Sequence, residues 1–500
     1  MRALLRLVPL LIAIRLAAAQ NGTLIEDPPP QLGSYAGPDL LARLSGSSIA
    51  AELLQFAFTP ECNVDVYRLT YHTTGGRGEA TTASGALMVP TGTGEVCRGA
   101  RPVVLYAHGT AELRSFDIAN LDDAGNVEGL LIATVFASQG YIVVAPNYAG
   151  YAGSTLGHHP YLVADQQSRD MIDALSGARS ALPVASAPDV TDGGRLFITG
   201  YSQGGHVAMA THRALEAEGA AVAASAPMSG PYALAAFGDA IFLGNVSRRA
   251  PVSVTLLISA YQHVYGDIYA DPTEVFEAQY APGIETLLPA TVAVDELVAQ
   301  GRLPRDALFS DVPPDPVFAP ITPPVRPEVL APVFARGFGP DHLIRNDYRL
   351  AYLRDSQAAP DGGSPTAATG LPASIPGNAL RRALLRNDLR NWTPVAPVLL
   401  CGGRLDPDVF YLNTRLMQDY WAATAPSARV TVIDLDSPAP VGDPFAVLKE
   451  NFALAKLLVA ANAVAEGATD GGRAAVLDAY HAGLVPPFCL SVTKSFFDRR

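Results

Sequence analysis

The chain has 500 residues, 49% of them hydrophobic and 17% charged, with four cysteines. That is room for two or three domains around a large core, and it excludes a small disulfide scaffold and a wholly disordered chain. The formal charge of -13 would repel a phosphate backbone, so nucleic acid is not expected as a partner.

The first residues read as a cleaved secretory signal. Arg2 and Arg6 precede the apolar run 7–14, and Ala17, Ala18 and Ala19 offer the small side chains a signal peptidase needs. A signal over 1–19 predicts a secreted product, extracellular or periplasmic. The apolar run itself is too short to span a bilayer, as are the runs 252–260 and 454–464. An exported chain with an even number of cysteines favours two disulfides. Three connectivities are possible, and Cys62 with Cys97 and Cys401 with Cys489 are the expected pairs. The second pair would tie two segments that border the site derived below. No C-x-x-C spacing is present, so no metal site is expected. N-x-S/T strings at Asn21, Asn245 and Asn391 would carry glycans only in a eukaryotic secretory route.

After a Pro/Gly-rich leader, two alternating runs, 63–73 and 79–90, flank Gly75, Gly76, Arg77 and Gly78 and predict a β-hairpin. The pattern then changes to short Val/Ile/Leu-rich runs at 102–107, 141–146, 195–199, 222–226, 395–401 and 429–435, interleaved with helical patterns at 127–138, 161–182 and 205–217. Buried parallel strands alternating with helices predict a doubly wound α/β sheet, opened here by the antiparallel hairpin.

Between residues 229 and 392 the connection is far longer than a strand-helix-strand crossover needs, so an inserted domain is expected over 230–391. The core would then fall in two pieces, 20–229 and 392–500. Helix-like runs at 273–280, 292–300, 341–355 and 378–389 surround a proline-rich tract, 312–332, that should run extended or turning over a surface.

The strand pattern 195–199 leads into Gly200-Tyr201-Ser202-Gln203-Gly204 and a helix. This is a G-x-S-x-G string in strand, turn, helix context. A serine there sits on a tight corner with its hydroxyl above the sheet, and the glycines leave space for the backbone to pass. The N–H of Gln203, at the helix start, would face the oxyanion formed on attack. A second donor is expected after the first long parallel strand, in His108-Gly109-Thr110, as the backbone N–H of Thr110. His108 is read as structural.

Serine chemistry needs a base and an acid that orients it, and in this strand arrangement they follow in the order acid, histidine. Of nine histidines only His481 lies beyond the last two strands. For the acid, Asp406 in Gly402-Gly403-Arg404-Leu405-Asp406-Pro407-Asp408 stands nearest a strand end. Asp408 is the alternative, with Asp434 and Asp436 behind it.

These residues resemble the α/β-hydrolases, and among them the secretory lipases of the Candida antarctica lipase A type. The resemblance lies in Tyr106 to Thr110, Gly140-Tyr141 through Asn147-Tyr148, Gly200 to His206, Ala226 to Gly230, and Trp392 to Asp406. It implies a mostly parallel α/β-hydrolase sheet under a large, mainly helical cap or lid. It also implies a Ser-Asp-His triad at Ser202, Asp406 and His481, no cofactor, and small-molecule or lipid ester substrates met by transient lipid contact. The expected activity is a lipase or esterase. A serine peptidase of the same fold and a non-catalytic binding protein are the alternatives.

Overall fold

The computed structural model describes residues 20–45, 59–185 and 189–500. The expected signal segment 1–19 lies outside them. A nine-stranded sheet runs in the order β1-β2-β3-β5-β4-β6-β7-β8-β9. Its strands are β1 (Gln31–Tyr35), β2 (Asn63–Thr74), β3 (Ala80–Thr91), β4 (Gly99–Ala107), β5 (Ile142–Pro146), β6 (Val190–Tyr201), β7 (Ala224–Met228), β8 (Val398–Gly402) and β9 (Val430–Asp434). The hairpin β2–β3 pairs in unbroken register from Asn63 with Thr91 to Thr74 with Ala80. It meets the parallel part through β3 against β5, and every pair from β5 and β4 through to β9 is parallel.

Alternation along the strands divides the core in two. Val104, Tyr106, Val143 and Phe197 pack with helices Val127–Val135 and Val485–Asp498 on one face. Val103, Leu105, Val144 and Ile198 pack with helices Ala164–Ala185 and Gln203–Ala217 on the other. Strands β5, β7 and β8 are buried at every residue, as expected where helices cover both faces.

The insert is mainly helical and has its own apolar core. It comprises helices Leu234–Phe242, Ala250–Tyr265, Val294–Ala299, Ala331–Arg336, Asn346–Ala358 and Ala379–Arg386. Arg381 binds Asp239 with two hydrogen bonds, 2.9 and 2.8 Å, and reaches Asp355 at 2.7 Å. The helix expected over 273–280 is absent. Only a 3-10 turn, Pro272–Glu274, forms there, and the backbone beyond it pairs instead with the strand-like segment at Ile344 through Glu277 N–H to Leu343 O and Arg345 N–H to Val275 O. The proline-rich tract is a short 3-10 segment, Pro316–Ile321, among turns. The apolar run 252–260 is the middle of the insert's longest helix.

Among the described residues, the continuous helical run Arg473–Asp498 is long and apolar enough to cross a membrane, but 61% of that window is buried inside the fold. It is a core helix. Two disulfides are formed, Cys62–Cys97 and Cys401–Cys489, with sequence separations of 35 and 88. A bridge that closes a longer loop removes more entropy from the unfolded chain. Opening Cys401–Cys489 (C401S/C489S) should therefore lower the urea midpoint by the equivalent of about 3 kcal/mol or more, exceeding the loss in C62S/C97S by under about 1 kcal/mol. Equilibrium urea melts of the two double variants check this, and equal midpoints would contradict it.

Candidate active site

Ser202 stands between β6 and helix Gln203–Ala217 with φ 60° and ψ -122°. A non-glycine residue held there is strained, and packing on all sides must enforce it. Its N–H bonds to Met228 O at 3.0 Å, at the end of β7. The glycines around it are spatial requirements. A Cβ on Gly204 would lie 1.9 Å from Ala107 O, and one on Gly200 would lie 2.4 Å from Gly204 O and 2.5 Å from Ala107 O. The helix can start this close to β4 only because neither position carries a side chain.

His481 enters from the C-terminal run, in a π-helical turn, Tyr480–Leu484, between helices Arg473–Ala479 and Val485–Asp498. Such a turn inserts an extra residue into the helical ladder and re-aims its side chains. His481 Nε2 lies 2.8 Å from Ser202 Oγ, and its Nδ1 lies 2.7 Å from Asp406 Oδ2. Asp406 is 1% exposed and His481 7% exposed, so the chain of contacts is sheltered from water. The other carboxylate oxygen of Asp406 accepts the N–H groups of Asp408 (2.9 Å) and Val409 (3.0 Å), which fixes its orientation. Tyr201 OH donates to His481 O at 2.5 Å. With Nδ1–H donated to the carboxylate, Nε2 keeps its lone pair toward the serine hydroxyl.

The other acids have different partners. Asp408 stands 3.5 Å from Arg248. Asp434 holds Arg404, accepting its backbone N–H at 3.1 Å and its Nε–H at 2.6 Å. Asp436 binds Tyr480 and Lys456. The last two thereby brace the segments that carry Asp406 and His481.

Electrostatics separate the histidines. Burial opposes protonation of His481, but Asp406 and Asp408 outweigh it and hold the group above the usual imidazole value. Burial pushes His108 down to about 4 and His206 down to about 4. His108 stacks on Tyr148 and lies against Gly109 O and Asn147 O. A neutral ring can donate to only one of those carbonyls, and both contacts tie it to the surrounding loops.

Gln203 begins the helix, where a backbone N–H has no intrahelical partner. Its side chain is held from behind: Gln203 Nε2 donates to His159 Nε2 at 2.7 Å, while His159 Nδ1 meets Ala149 O at 2.9 Å. Burial pushes His159 down to about 3, so Nδ1 carries the single proton and Nε2 accepts. Thr110 Oγ1 is 2.8 Å from Tyr161 OH. Sequence reasoning missed His159, Tyr161 and Arg248, which carry no motif of their own. It missed Glu128 too, whose place in a helix first turn looks like ordinary dipole complementation.

Among the insert's contacts at the site, Ala290 N–H bonds to Glu112 O and Arg114 N–H to Ala290 O, each at 2.7 Å, on the loop after Thr110. Arg249 pairs with Glu112 on the same loop. Arg248 pairs with Asp478 at 3.0 Å, three residues before His481.

No family model and no curated protein matches the sequence. Solved structures do. The esterase LipA of Xanthomonas oryzae, described as rice cell wall degrading, is 28% identical with a TM-score of 0.64, over 90% of this chain and 100% of that one. A putative hydrolase from Legionella pneumophila is 18% identical with a TM-score of 0.63, over 95% and 97%. Candida antarctica lipase A is 12% identical with a TM-score of 0.46, over 82% and 76%. The chain has the α/β-hydrolase fold with a helical insert, and over nine-tenths of its length it is similar to a hydrolase that cleaves esters.

Because negative charge at Asp408 favours the imidazolium, replacing it by Asn should lower the pKa of His481. The uncompensated Arg248 acts in the same sense. Titration of ¹³C-labelled histidines by NMR in D408N should show the His481 midpoint at lower pH than in the wild type, and an unchanged or higher midpoint would contradict this assignment.

Proposed function

We propose that this protein is a secreted serine hydrolase that cleaves carboxylic esters through an acyl-enzyme on Ser202. The observation that carries the reading is the hydrogen-bonded chain from Ser202 Oγ through His481 to Asp406, at 2.8 and 2.7 Å. Ser202 Oγ attacks the carbonyl carbon while His481 Nε2 takes its proton, and the tetrahedral oxyanion is met by the N–H groups of Gln203 and Thr110. Collapse of that intermediate breaks the bond to the alcohol, which leaves with the proton from His481. Water then gives a proton to His481 and attacks the acyl carbon, releasing the acid and restoring Ser202. The carboxylate of Asp406 stabilises the imidazolium in both halves.

Likeness to an esterase over nine-tenths of the chain supports an ester, small-molecule or lipid, in preference to a peptide. The two disulfides and the signal-like first residues support export. The insert, 230–391, serves as the cap, its apolar core supplying an acyl-binding surface that touches a lipid interface transiently.

Ser202→Ala should abolish labelling by a fluorophosphonate probe and hydrolysis of p-nitrophenyl esters. Asp406→Asn should cut kcat by about 10³–10⁴, far more than Asp408→Asn. A chain-length series of those esters, run beside aminoacyl anilides, reads the substrate class. Preference for the anilides would make the protein a peptidase, and a folded wild type that neither labels nor turns over any of them would make it a non-catalytic binding protein.

A further inference from the structure

The mechanism above does not use Glu128, yet its carboxylate is among the groups nearest the nucleophile loop. Glu128 lies in the first turn of helix Val127–Val135, capped by Asn126. Its Oε1 accepts the Gly109 N–H at 3.0 Å and the Tyr106 hydroxyl at 2.7 Å, and its Oε2 lies 3.1 Å from the same N–H. A Cβ built on Gly109 would lie 3.5 Å from Glu128 Oε2 and 3.7 Å from Ser202 Cβ, in ordinary van der Waals contact with both, so residue 109 stands directly between the carboxylate and Ser202. Among the described residues no arginine or lysine forms an ion pair with Glu128, and burial of the carboxyl pushes it up to about 7. An acid kept in such a place with no arginine or lysine partner has its contacts with the loop as its visible work.

Those contacts govern the oxyanion hole. A loop peptide can turn either face to the substrate, and successive N–H groups compete for the oxyanion position. With the Gly109 N–H committed to Glu128, that peptide plane is fixed and the next N–H, on Thr110, is the one left for the substrate. Thr110 is held on its other side by its hydroxyl contact with Tyr161 at 2.8 Å. We infer that Glu128 is a positioning residue of the oxyanion hole, setting the Gly109–Thr110 peptides through the Gly109 N–H. This rests on Ser202 being the nucleophile of an ester hydrolase. The residue acts through backbone it orients and does not touch the substrate, and because Oε1 accepts from both Gly109 N–H and Tyr106 OH, a glutamine with its oxygen in that place keeps both of those bonds without charge and gives up only the longer Gly109 N–H contact to Oε2 at 3.1 Å.

The test compares E128A and E128Q with the wild type, using kcat and KM on p-nitrophenyl butyrate and the inhibition constant of an alkyl trifluoromethyl ketone. The serine adduct of that ketone places an oxyanion in the hole, whereas KM reports mainly ground-state binding. E128A should lower kcat/KM by about 10–100-fold, less than the loss of about 10²–10³ seen when an oxyanion donor is removed outright. KM should stay within about twofold, and ketone affinity should fall by the same factor as kcat/KM. E128Q should stay within about threefold of the wild type in both readouts, since it keeps the acceptor. Unchanged kcat and ketone affinity in E128A, a loss confined to KM, or an E128Q as impaired as E128A would each overturn the inference. If E128A does not fold, Tyr106→Phe decides, since it removes the hydroxyl that holds Oε1. A parallel loss of kcat/KM and ketone affinity supports the role, and no loss overturns it. Failure of the parent reading is distinct: it would appear as a wild type without esterase activity or a Ser202→Ala as active as the wild type.

Discussion

Helix Gln203–Ala217 starts so close to β4 that a single methyl group on Gly204 would lie 1.9 Å from Ala107 O. The rest of the site depends on that approach. It forces the chain to reverse within one residue, and that residue, Ser202, takes up a positive φ that serine does not choose freely. The same approach brings the end of β4, and so His108, Gly109 and Thr110, beside Ser202. The central position of β4 and β6 in the nine-stranded sheet gives the strain a rigid support, since both strands are flanked by others and covered by helices on both faces.

The remaining groups come from chain segments far apart in sequence, and each is tied down by more than one device. Asp406 follows β8 in a loop held to the end of β9 by Asp434 and Arg404. His481 belongs to the C-terminal helical run, and the Cys401–Cys489 bridge joins that run to the strand preceding Asp406. Tyr201, next to Ser202, donates to the backbone of His481, so the two segments are also coupled through the backbone. The insert grips the same places: Arg248 reaches Asp478 and Asp408, and Arg249 reaches Glu112. The insert is thus held at the loop of Asp406, the segment of His481 and the loop after Thr110.

Much of this was legible in the residues. The hairpin at 63–90 and the six later strands follow from period-two alternation and short apolar runs, because a strand covered on both faces has no polar side to confuse the pattern. Ser202 was legible because its glycines leave a local string, and His481 because chain order leaves no competitor. Other elements were not legible for equally physical reasons. The pattern at 273–280 is helix-like, yet its backbone pairs with the segment at Ile344, a tertiary preference that local propensity does not contain. Helices Leu234–Phe242 and Ala250–Tyr265 are apolar nearly all round because they lie inside the insert, so the amphipathic period that marks a surface helix is missing. Glu128 and His159 act by what lies opposite them in space, and no spacing along the chain records that.

The proposed chemistry places a covalent acyl group on Ser202 during turnover. Rapid quenching of the wild type with p-nitrophenyl butyrate, followed by intact-mass and peptide mass spectrometry, tests it most directly. A butyryl adduct confined to the peptide containing Ser202 is expected, and none in Ser202→Ala. Turnover without any adduct, or an adduct on a different residue, would contradict it.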